Sequence, residues 1–355
     1  MKKRGVGIAT ALYPTGMSGG GDSSQAIVKV KSDGSVDLII GSSDIGQGCK
    51  TVLAQMAAEE LGVDYDQVTV VNDNTDATPM CFGTFASRVT FVAGNATVQA
   101  AQEARSILFD IASEDLEASP DDLEAAGGKI FVRGAPDRSL GIADVAGKAN
   151  FAMRKLVVGR GHYMRDPGAP DPETGQVDPF ATLAWAAVLA EVEVDTETGE
   201  VLVTNLVASY DVGRAINPML AEGQIEGGAA MGVGAALMED LYPFYPTQEW
   251  QPETYHDYVI PTAVDIPDIK SAIYECPSTN GPYGAKGIGE MTANAPAPAI
   301  VNAVHDAIGV WITDLPITPE RVLKALDEKK AERGPLGALG EAIEDIVDAV
   351  EDLLD

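Results

Sequence analysis

Three glycine-rich segments carry the polar residues whose types and spacing could support chemistry. They are GSSDIGQG (41–48), GTFASRVTFVAGN (83–95) and GAKGIGE (284–290). The first two precede predicted helices. A helix N-terminus presents unpaired N–H groups to an anion, and glycine lets the backbone approach that anion closely. Neither segment matches the Walker A or the strict GxGxxG pattern. Their residues are consistent with a site for a phosphate-bearing cofactor and also with ordinary turns and helix caps.

Glu290 ends the third segment, immediately before a predicted helix. A carboxylate in this position stabilises the positive end of the helix dipole, which is a purely structural role. In a closed pocket the same side chain could act as a general base, and it would then be ionised yet partly withdrawn from water. The residue types alone leave both interpretations open.

The residues that most often bind metals are scattered along the chain. No CxxC and no Cys/His spacing typical of zinc or iron–sulfur sites occurs, and no Ser/His/Asp set stands out. The odd number of widely separated cysteines favours a reducing cytoplasm, and the histidines are interpreted as structural or surface residues. These cysteines and histidines are Cys49, Cys81, Cys276, His162, His256 and His305.

The charge and hydropathy of the chain disfavour several classes of function. Its 355 residues include 54 acidic and 24 basic side chains, a net charge of −30, which disfavours binding to nucleic acids and to anionic membranes. The chain has no run of about 18 apolar residues, so no membrane span is predicted. Pro14 and several glycines interrupt the short apolar stretch at the N-terminus. We therefore interpret that stretch as part of a mature, cytoplasmic protein rather than as a signal peptide.

Hairpins and helices without strict βαβ alternation predict an α+β fold. One hairpin is expected over 26–41, with its turn at Asp33-Gly34, and a second over 185–210. A helix of about 14 residues should end just before Gly62, since glycine is favourable immediately beyond a helix. The other predicted elements are strands at 67–72 and 129–134 and helices at 92–112, 223–241, 293–308 and 316–326.

Four segments in order resemble the successive motifs of a known enzyme family. They are GSSDIGQG, FASRVTFVAGNA, DVGRAINPMLAEGQIEGG and YGAKGIGEMTANAPAPAIVNAVHDA. Together they resemble the C-terminal half of the molybdopterin-binding large subunit of xanthine dehydrogenase/aldehyde oxidase-type hydroxylases, from about residue 4 to 326. Four ordered motifs are a more specific signal than any single loop. The resemblance implies that residues 1–330 form the molybdopterin-binding half, as two intertwined α+β subdomains, and that 331–355 form an acidic amphipathic tail.

The resemblance implies how the chain holds a molybdenum cofactor. Backbone N–H groups of the FASRV segment would bind the pterin and its phosphate. A glutamine-glycine pair would contact the pterin or its molybdenum oxygens, and a second glutamine would lie near the oxo face of the metal. The dithiolene sulfurs of the pterin, in its cytosine dinucleotide form, would hold the metal without a direct protein ligand. The cofactor-binding residues implied in this way are Gln47, Gly48, Ala86, Ser87, Arg88, Val89 and Gln224.

The same resemblance favours the catalytic interpretation of Glu290. Glu290 would be the base that removes a proton from a water-derived oxygen as that oxygen is transferred to an electron-poor carbon. Lys286 would support the loop. Met17 and Ser18 align with a segment that lines the substrate pocket, although a methionine there is also explained as simple packing filler.

The resemblance also implies partners, because the large subunit of this family is usually about twice as long as this chain. The first half is expected on a separate polypeptide, as in nicotinate dehydrogenase-like enzymes, with 2Fe–2S and FAD groups on further subunits. The expected reaction is hydroxylation of an N-heterocycle such as a purine or nicotinate, with water as the oxygen source. The alternatives are action on an aldehyde or an aromatic thioester, a non-catalytic assembly role, and a nucleotide-binding protein unrelated to molybdenum.

Overall fold

Two four-stranded sheets and one three-stranded sheet organise the chain, with helices packed against them. The computed structural model describes residues 1–18, 21–240, 252 and 254–331. The strands are β1 (Lys2–Thr15), β2 (Ser23–Val30), β3 (Val36–Ile40), β4 (Val68–Val71), β5 (Leu123–Ala126), β6 (Lys129–Val132), β7 (Ala135–Gly141), β8 (Val157–Met164), β9 (Thr182–Asp195), β10 (Val201–Asp211) and β11 (Ile269–Tyr274). The helices are α1 (Cys49–Leu61), α2 (Gly94–Leu116), α3 (Ile142–Gly147), α4 (Pro218–Leu237), α5 (Met291–Asn294), α6 (Pro296–Ile308) and α7 (319–331).

The first sheet has the strand order β4-β3-β2-β8, and α1 and α2 pack against it. β2 and β3 form the hairpin predicted over 26–41. Alternate residues of these strands, such as Leu38 and Ile40, are fully buried under the helices. α2 lies very close to β8, because an added Cβ at Gly159 or Gly161 would lie 1.9 or 1.8 Å from backbone oxygens of the helix. Only glycine permits this approach.

The second sheet has the strand order β1-β9-β10-β11 and packs against α4, α5 and α6. β1 pairs with β9 in antiparallel register over its whole length. α6 crosses β1 at two glycines, since an added Cβ at Gly5 or Gly7 would lie 2.2 Å from the carbonyl oxygen of Ala303 or Ala299. β9 and β10 form the second predicted hairpin.

The outer face of the β1–β9 pair carries exposed apolar side chains. Ile8, Leu12 and Trp185 are 61%, 48% and 59% exposed, and Leu12 lies directly opposite Trp185 in the register. Such a group of large apolar side chains on one sheet face is typical of a surface that another polypeptide covers.

The segment from 116 to 150, for which a single strand was predicted, contains the three-stranded sheet β5-β6-β7 and the helix α3. The strand predicted at 129–134 is confirmed as β6. β5 (LEAA) and β7 (APDRSLG) were not predicted, because neither sequence has the alternation of apolar and polar residues that marks a half-buried strand.

The α+β class is confirmed, and so is the end of α1, where Gly62 takes a left-handed conformation with φ 70°. The predicted strand at 67–72 is confirmed as β4, although its side chains are only partly buried. β1, β8 and β11 were not predicted. No strand was predicted at β1 because Pro14 and several glycines interrupt its apolar stretch, whereas Gly5 and Gly7 are the positions where α6 packs.

α4 begins at Pro218, earlier than the predicted 223, because the Asn217 side chain accepts a hydrogen bond from the Leu220 N–H group and caps the helix. Its many small residues allow another element to pack closely against it. Gly228 does so, since an added Cβ would lie 2.0 Å from Thr292 Oγ1. Gly223 has no atom within 4 Å of an added Cβ, so that part of the helix is uncovered.

The predicted amphipathic tail lies outside the described residues from position 332 onward. Among the helices of the described ranges, none is both long and apolar enough to cross a membrane.

Candidate active site

A cavity of about 620 Å³ is lined by residues from segments that adjoin the two four-stranded sheets. Its wall combines the 41–48 and 83–95 segments, residues that follow β10, the first half of α4, and the 284–290 segment with α5. Gly48 and Ala86 belong to these segments but not to the wall itself. The predicted site residues that line the cavity are Gln47, Ser87, Arg88, Val89, Gln224 and Glu290.

Two neighbouring residues of the 83–95 segment take a left-handed backbone conformation, Ala86 and Ser87, each with φ 50°. Residues that carry a Cβ rarely adopt it, so the surrounding structure must hold the turn in place. Among the described residues, the N–H groups of Ala86, Ser87 and Val89 have no hydrogen-bond partner, whereas the Arg88 N–H group donates to the Phe85 carbonyl at 3.2 Å. Three of the four predicted backbone donors can therefore bind an anion, and that of Arg88 is already used.

The side chain of Arg88 is fully buried and forms an ion pair with the buried carboxylate of Asp22, from Nε to Oδ1 at 2.5 Å. Its guanidinium therefore fixes the turn at residues 85–88 (the FASR turn) to the start of β2, and its N–H groups are used within the protein. Nη1 and Nη2 make the remaining hydrogen bonds at 2.7–3.1 Å, and their partners are the Gly83 and Ser23 carbonyls, Ser24 Oγ and Cys81 Sγ.

Glu290 and Ser87 connect the two segments that hold the proposed base and the proposed pterin donors. The Ser87 hydroxyl donates to Glu290 Oε2, and Ser87 Oγ accepts a hydrogen bond from the Glu290 N–H group at 3.1 Å. Gly287 packs directly on this turn, because an added Cβ would lie 1.7 Å from the Ser87 carbonyl oxygen. The position of Glu290 therefore depends on the conformation of the FASR turn.

The purely structural interpretation of Glu290 as a helix cap is weakened by this geometry. Glu290 stands at the N-cap position of α5, but its side chain makes no capping hydrogen bond, and α5 has only 4 residues. The expectation that the carboxylate is withdrawn from water is wrong for this chain, because the Glu290 side chain is exposed. No residue in the described ranges covers its open side.

Lys286 anchors the 284–290 segment, which ends at Glu290, to the neighbouring strands. Its Nζ donates to Asp211 Oδ2 at 2.6 Å and to the Leu183 carbonyl at 2.9 Å, and both ionic side chains are less than a tenth exposed. Its N–H group also donates to the Val212 carbonyl at 2.9 Å. These bonds join the 284–290 segment to the ends of β9 and β10, so Lys286 has the supporting role that the sequence suggested.

The DIGQG segment is held by Asp44, which the sequence analysis did not single out. Burial alone would raise the pKa of the Asp44 carboxyl. The N–H groups of Lys50, Gly46 and Gly48 donate hydrogen bonds to the carboxylate and lower that pKa below its ordinary value. Gln47 folds back on its own segment, accepting from the Ile45 N–H group at 2.7 Å and donating to the Ser43 carbonyl at 3.2 Å. Asp44 thus fixes the loop that leads into α1, and Gln47 of this loop lies in the cavity wall.

The structure does not bring Met17 and Ser18 to the cavity. Met17 is half-buried, and its N–H group donates to Asp22 Oδ2 at 2.9 Å, while Ser18 is exposed. Tyr13, which the sequence analysis missed, lies nearer the chemistry: burial and the charge of Glu290 raise the pKa of this phenol. No local sequence signal marks it, because its position is set by the pairing of β1 with β9.

Gly287→Ala tests the dependence of the site on close backbone packing. The added Cβ would meet the Ser87 carbonyl at 1.7 Å, so we expect the free energy of unfolding to fall by about 1–3 kcal/mol. The matched control is Gly223→Ala in α4, where the Cβ meets nothing and helix propensity should increase stability by about 0.5–1 kcal/mol. Denaturant unfolding of the purified protein measures both. Equal effects of the two substitutions would contradict the packing argument.

Metal binding by protein side chains alone finds no support within the described residues, where no group of three or more His, Cys, Asp or Glu could hold an ion. The cavity wall offers unpaired backbone N–H groups, glutamine and asparagine amides, the Arg214 side chain and one carboxylate, a set that suits an organic anionic cofactor better than a bare cation.

Residues 1–267 match the family described as the molybdopterin cofactor-binding domain. Over 90% of its length the chain is also 31% identical to a putative xanthine dehydrogenase molybdenum-binding subunit of Escherichia coli K12. The chain belongs to the xanthine dehydrogenase family of molybdenum-binding subunits. The family membership predicted from the four ordered motifs is thereby confirmed.

Other members of the xanthine dehydrogenase family are similar over almost the whole chain. The gamma subunit of the 6-hydroxypseudooxynicotine dehydrogenase complex of Paenarthrobacter nicotinovorans is 34% identical over 94% of this chain and 41% of its own length. The crystal structure of quinoline 2-oxidoreductase from Pseudomonas putida 86 superimposes with a TM-score of 0.82 and 32% identity, over 92% of this chain and 42% of that one. The chain therefore spans less than half the length of these relatives.

Proposed function

We propose that this chain is the molybdopterin-binding catalytic subunit of a molybdenum hydroxylase that oxidises a purine-like or nicotinate-like N-heterocycle with oxygen from water. The observation that carries the proposal is the junction at one cavity between Glu290 and the FASR turn. There, Ser87 hydrogen-bonds the carboxylate, and the unpaired N–H groups of Ser87 and Val89 belong to the same turn.

The donors at this cavity fit an anionic pterin cofactor. The unpaired N–H groups precede the helical turn Val89–Ala93 and α2, so the positive end of a helix dipole adds to their attraction for a phosphate. A volume of about 620 Å³ is ordinary for a cofactor site. When bound, the cofactor, proposed in its cytosine dinucleotide form, supplies the two-electron oxidation and holds the metal through its dithiolene sulfurs. The residues that would hold it are Gln47, Gly48, Ala86, Ser87, Val89 and Gln224.

Glu290 would accept the proton of the oxygen nucleophile at its carboxylate. Ser87 occupies Oε2 and limits the rotation of the side chain, while the Lys286–Asp211 ion pair fixes the backbone that carries it. A positioned general base contributes typically about 10²–10⁴-fold to a rate. This chain therefore supplies the base, the pterin donors and their mutual alignment.

We propose the substrate class from the remaining lining of the cavity. Ile45, Phe85, Met231 and Ile288 give it an apolar surface that suits a planar aromatic ring. Among the similar proteins, quinoline 2-oxidoreductase is named for an N-heterocycle. These two points support an N-heterocycle over an aldehyde or a thioester.

Partner subunits complete the proposed enzyme. A separate polypeptide would supply the part of the molybdenum subunit that has no counterpart here, with 2Fe–2S and FAD groups on further subunits. Two features support partner chains: Glu290 is exposed, and Ile8, Leu12 and Trp185 form an uncovered apolar face. We place the complex in the cytoplasm, because Cys49, Cys81 and Cys276 are free.

Purification of the tagged full-length chain from its native host, under mild conditions, tests the proposal. We expect molybdenum and a pterin dinucleotide in the preparation, together with copurifying polypeptides that bind iron–sulfur and flavin groups. Assays with quinoline, nicotinate, xanthine and benzaldehyde should show turnover of a heterocycle, with ¹⁸O from labelled water in the product.

Three results would oppose this proposal in different ways. A bound nucleotide without molybdenum would indicate an unrelated nucleotide-binding protein. Turnover of benzaldehyde alone would move the substrate class to aldehydes. A molybdenum-containing complex whose activity is indifferent to Glu290 would indicate a supporting subunit rather than a catalytic one.

A further inference from the structure

Residues 129–165 concentrate positive charge in an otherwise acidic chain. They contain eight of its 24 basic residues and two of its 54 acidic residues, a net charge of +6 in a chain whose net charge is −30. They include β6, β7, α3 and β8, and neither the cofactor motifs nor the cavity wall contains any of them. Positive charge gathered in one region of an acidic protein favours association with an acidic ligand.

Seven consecutive residues of this region, 150–156, are all exposed. Their sequence is NFAMRKL, and they are called the NFAMRKL segment below. Its large apolar side chains Phe151, Met153 and Leu156 are 78%, 42% and 69% exposed. Large apolar side chains grouped in this way are typical of a surface that another polypeptide segment covers.

The two cations of the NFAMRKL segment are available to an acidic ligand. Arg154 and Lys155 form no ion pair within the described part of the chain. Lys148, just before the segment, is by contrast paired with Asp115 at 2.8 Å. The segment itself contains no acidic residue. An acidic ligand would therefore meet two unpaired positive charges beside exposed apolar carbon atoms.

Backbone contacts hold the NFAMRKL segment in a fixed shape. The Met153 N–H group donates to the Lys148 carbonyl at 3.0 Å. The Lys155 N–H group donates at 2.8 Å to the carbonyl of Ala149, which is fully buried. Arg154 takes a left-handed conformation with φ 54°, which a residue with a Cβ keeps only where its surroundings hold it. The exposed side chains are therefore presented by a turn whose backbone is already fixed.

The C-terminal residues 332–355, beyond the described ranges, have a complementary sequence. They include eight acidic residues and one basic residue, a net charge of −7. Their apolar residues recur at alternating spacings of four and three, which predicts one apolar face of a helix, and acidic residues border that face on both sides. The apolar positions are Leu339, Ile343, Ile346, Val350 and Leu353, and the bordering acidic positions are Asp345 and Glu351.

The length of residues 332–355 is sufficient for them to reach the NFAMRKL segment. Fully extended, they would span up to about 80 Å. A compact chain of the size of the described part has a radius of gyration of about 20 Å. The end of α7 therefore does not limit which surface of the molecule they can contact.

We propose that the acidic C-terminal residues 332–355 dock on the NFAMRKL segment. In this contact their apolar face covers Phe151 and Leu156, and the acidic residues at its borders pair with Arg154 and Lys155. Burial of the apolar side chains supplies the driving force, and the ion pairs select an acidic ligand and its orientation. The contact lies outside the cavity wall, so it is independent of the proposed catalytic role.

Zero-length carbodiimide crosslinking of the purified full-length chain tests the contact, because it joins a lysine amine to a carboxylate that already touches it. We expect crosslinks from Lys155 to carboxylates of residues 341–352, identified by mass spectrometry of the digested protein. The matched control is Lys270, an exposed lysine on β11 that should give no such crosslink. Raising the ionic strength should lower the Lys155 yield, because salt screens ion pairs at the surface.

Phe151→Ser/Leu156→Ser removes the apolar part of the surface at two exposed positions. We expect the Lys155 crosslink to fall about tenfold, because less apolar area is buried in the contact. The matched control is Val264→Ser, which removes an apolar side chain that is 91% exposed elsewhere and should leave the yield unchanged. Thermal unfolding of both variants checks that the fold is retained.

Ile343→Asp/Val350→Asp keeps the chain at full length and destroys the apolar face of the C-terminal residues. In the wild-type chain, we expect the contact to protect the Lys155 amine from acetylation. In this variant the acetylation rate of Lys155 should rise to that of the exposed Lys270. This measurement does not depend on crosslinking chemistry.

Several results would overturn the contact. Absence of Lys155 crosslinks in the wild-type chain, or their survival in both double variants, would show that these residues do not dock there. If the Phe151/Leu156 variant loses a copurifying subunit while the Ile343/Val350 variant keeps it, the NFAMRKL segment binds a partner subunit instead. If only the Phe151/Leu156 variant changes the molar mass of the purified chain in light scattering, the segment joins two copies of the chain through another surface.

Discussion

Replacement of Glu290 by glutamine is expected to lower turnover of the assembled enzyme by about 10²–10⁴-fold while cofactor content stays near normal. Glutamine keeps the size of the side chain, and its carbonyl oxygen can still accept the hydrogen bond that Ser87 gives to Glu290. It cannot take up a proton at working pH. Because the fold and the pterin donors of the FASR turn are untouched, the loss should fall on kcat rather than on stability or metal loading.

The matched control for this substitution is Glu226→Gln. Glu226 is an exposed glutamate on α4, outside the cavity wall, and its replacement changes the net charge by the same amount. Steady-state kinetics, molybdenum analysis and thermal unfolding of both variants make the comparison. Retained turnover in Glu290→Gln, at wild-type molybdenum content, would show that another group is the base.

The sequence was most informative where local chemistry decides structure. Gly62 ends α1 because a left-handed residue is needed there, and glycine adopts that conformation without strain. The hairpins followed from alternation and turn residues, and four ordered motifs indicated the family. The same motifs named Gln47, Gln224 and Glu290, which the fold brings to one cavity. Short-range signals sufficed because each of these residues lies in a segment whose conformation its own glycines permit.

Roles that depend on distant parts of the chain could not be predicted. The backbone N–H group of Arg88 was expected to bind the pterin, but it donates to the Phe85 carbonyl. The role of the Arg88 side chain, an ion pair with Asp22 66 positions away in the sequence, was not predicted. Tyr13 belongs to β1, a strand visible only once β9 is paired with it. The exposure of Glu290 depends on which other parts of the chain lie over the cavity. It is therefore a property of the whole fold and could not be predicted from the GAKGIGE segment.

These long-range roles share one physical origin, which is the need to compensate buried charge. Arg88 and Lys286 are both basic residues within motifs that resemble anion-binding loops, yet each is paired inside the protein with an aspartate. A charge that is removed from water must find a partner, and in this fold the two aspartates lie immediately before β2 and at the end of β10. The proposed contacts of the FASRV and GAKGIGE motifs with a cofactor are therefore backbone contacts, because Arg88 and Lys286 are used to hold the loops.

Arg88→Met is the second substitution for which we expect a large effect. It leaves the Asp22 carboxylate, 4% exposed, without its ionic partner and leaves the Ser23 and Gly83 carbonyls without a donor. Breaking one side of a buried ion pair typically costs about 3–5 kcal/mol. We expect the free energy of unfolding of the purified protein to fall by this amount in denaturant titrations. Molybdenum content should fall too, because Ala86 and Ser87 need this anchor to keep their left-handed conformation.

The control is Arg160→Met, which removes an arginine from the ion pair with Glu103 on the surface. Its side chain is 77% exposed, so the loss should be within about 1 kcal/mol. The double variant Asp22→Asn/Arg88→Met distinguishes a stranded charge from lost packing, because it removes both charges at once. It should be more stable than Arg88→Met alone, since the dominant penalty is the uncompensated Asp22 carboxylate. If Arg88→Met were as stable as Arg160→Met, the anchoring of the FASR turn would have to come from its backbone contacts instead.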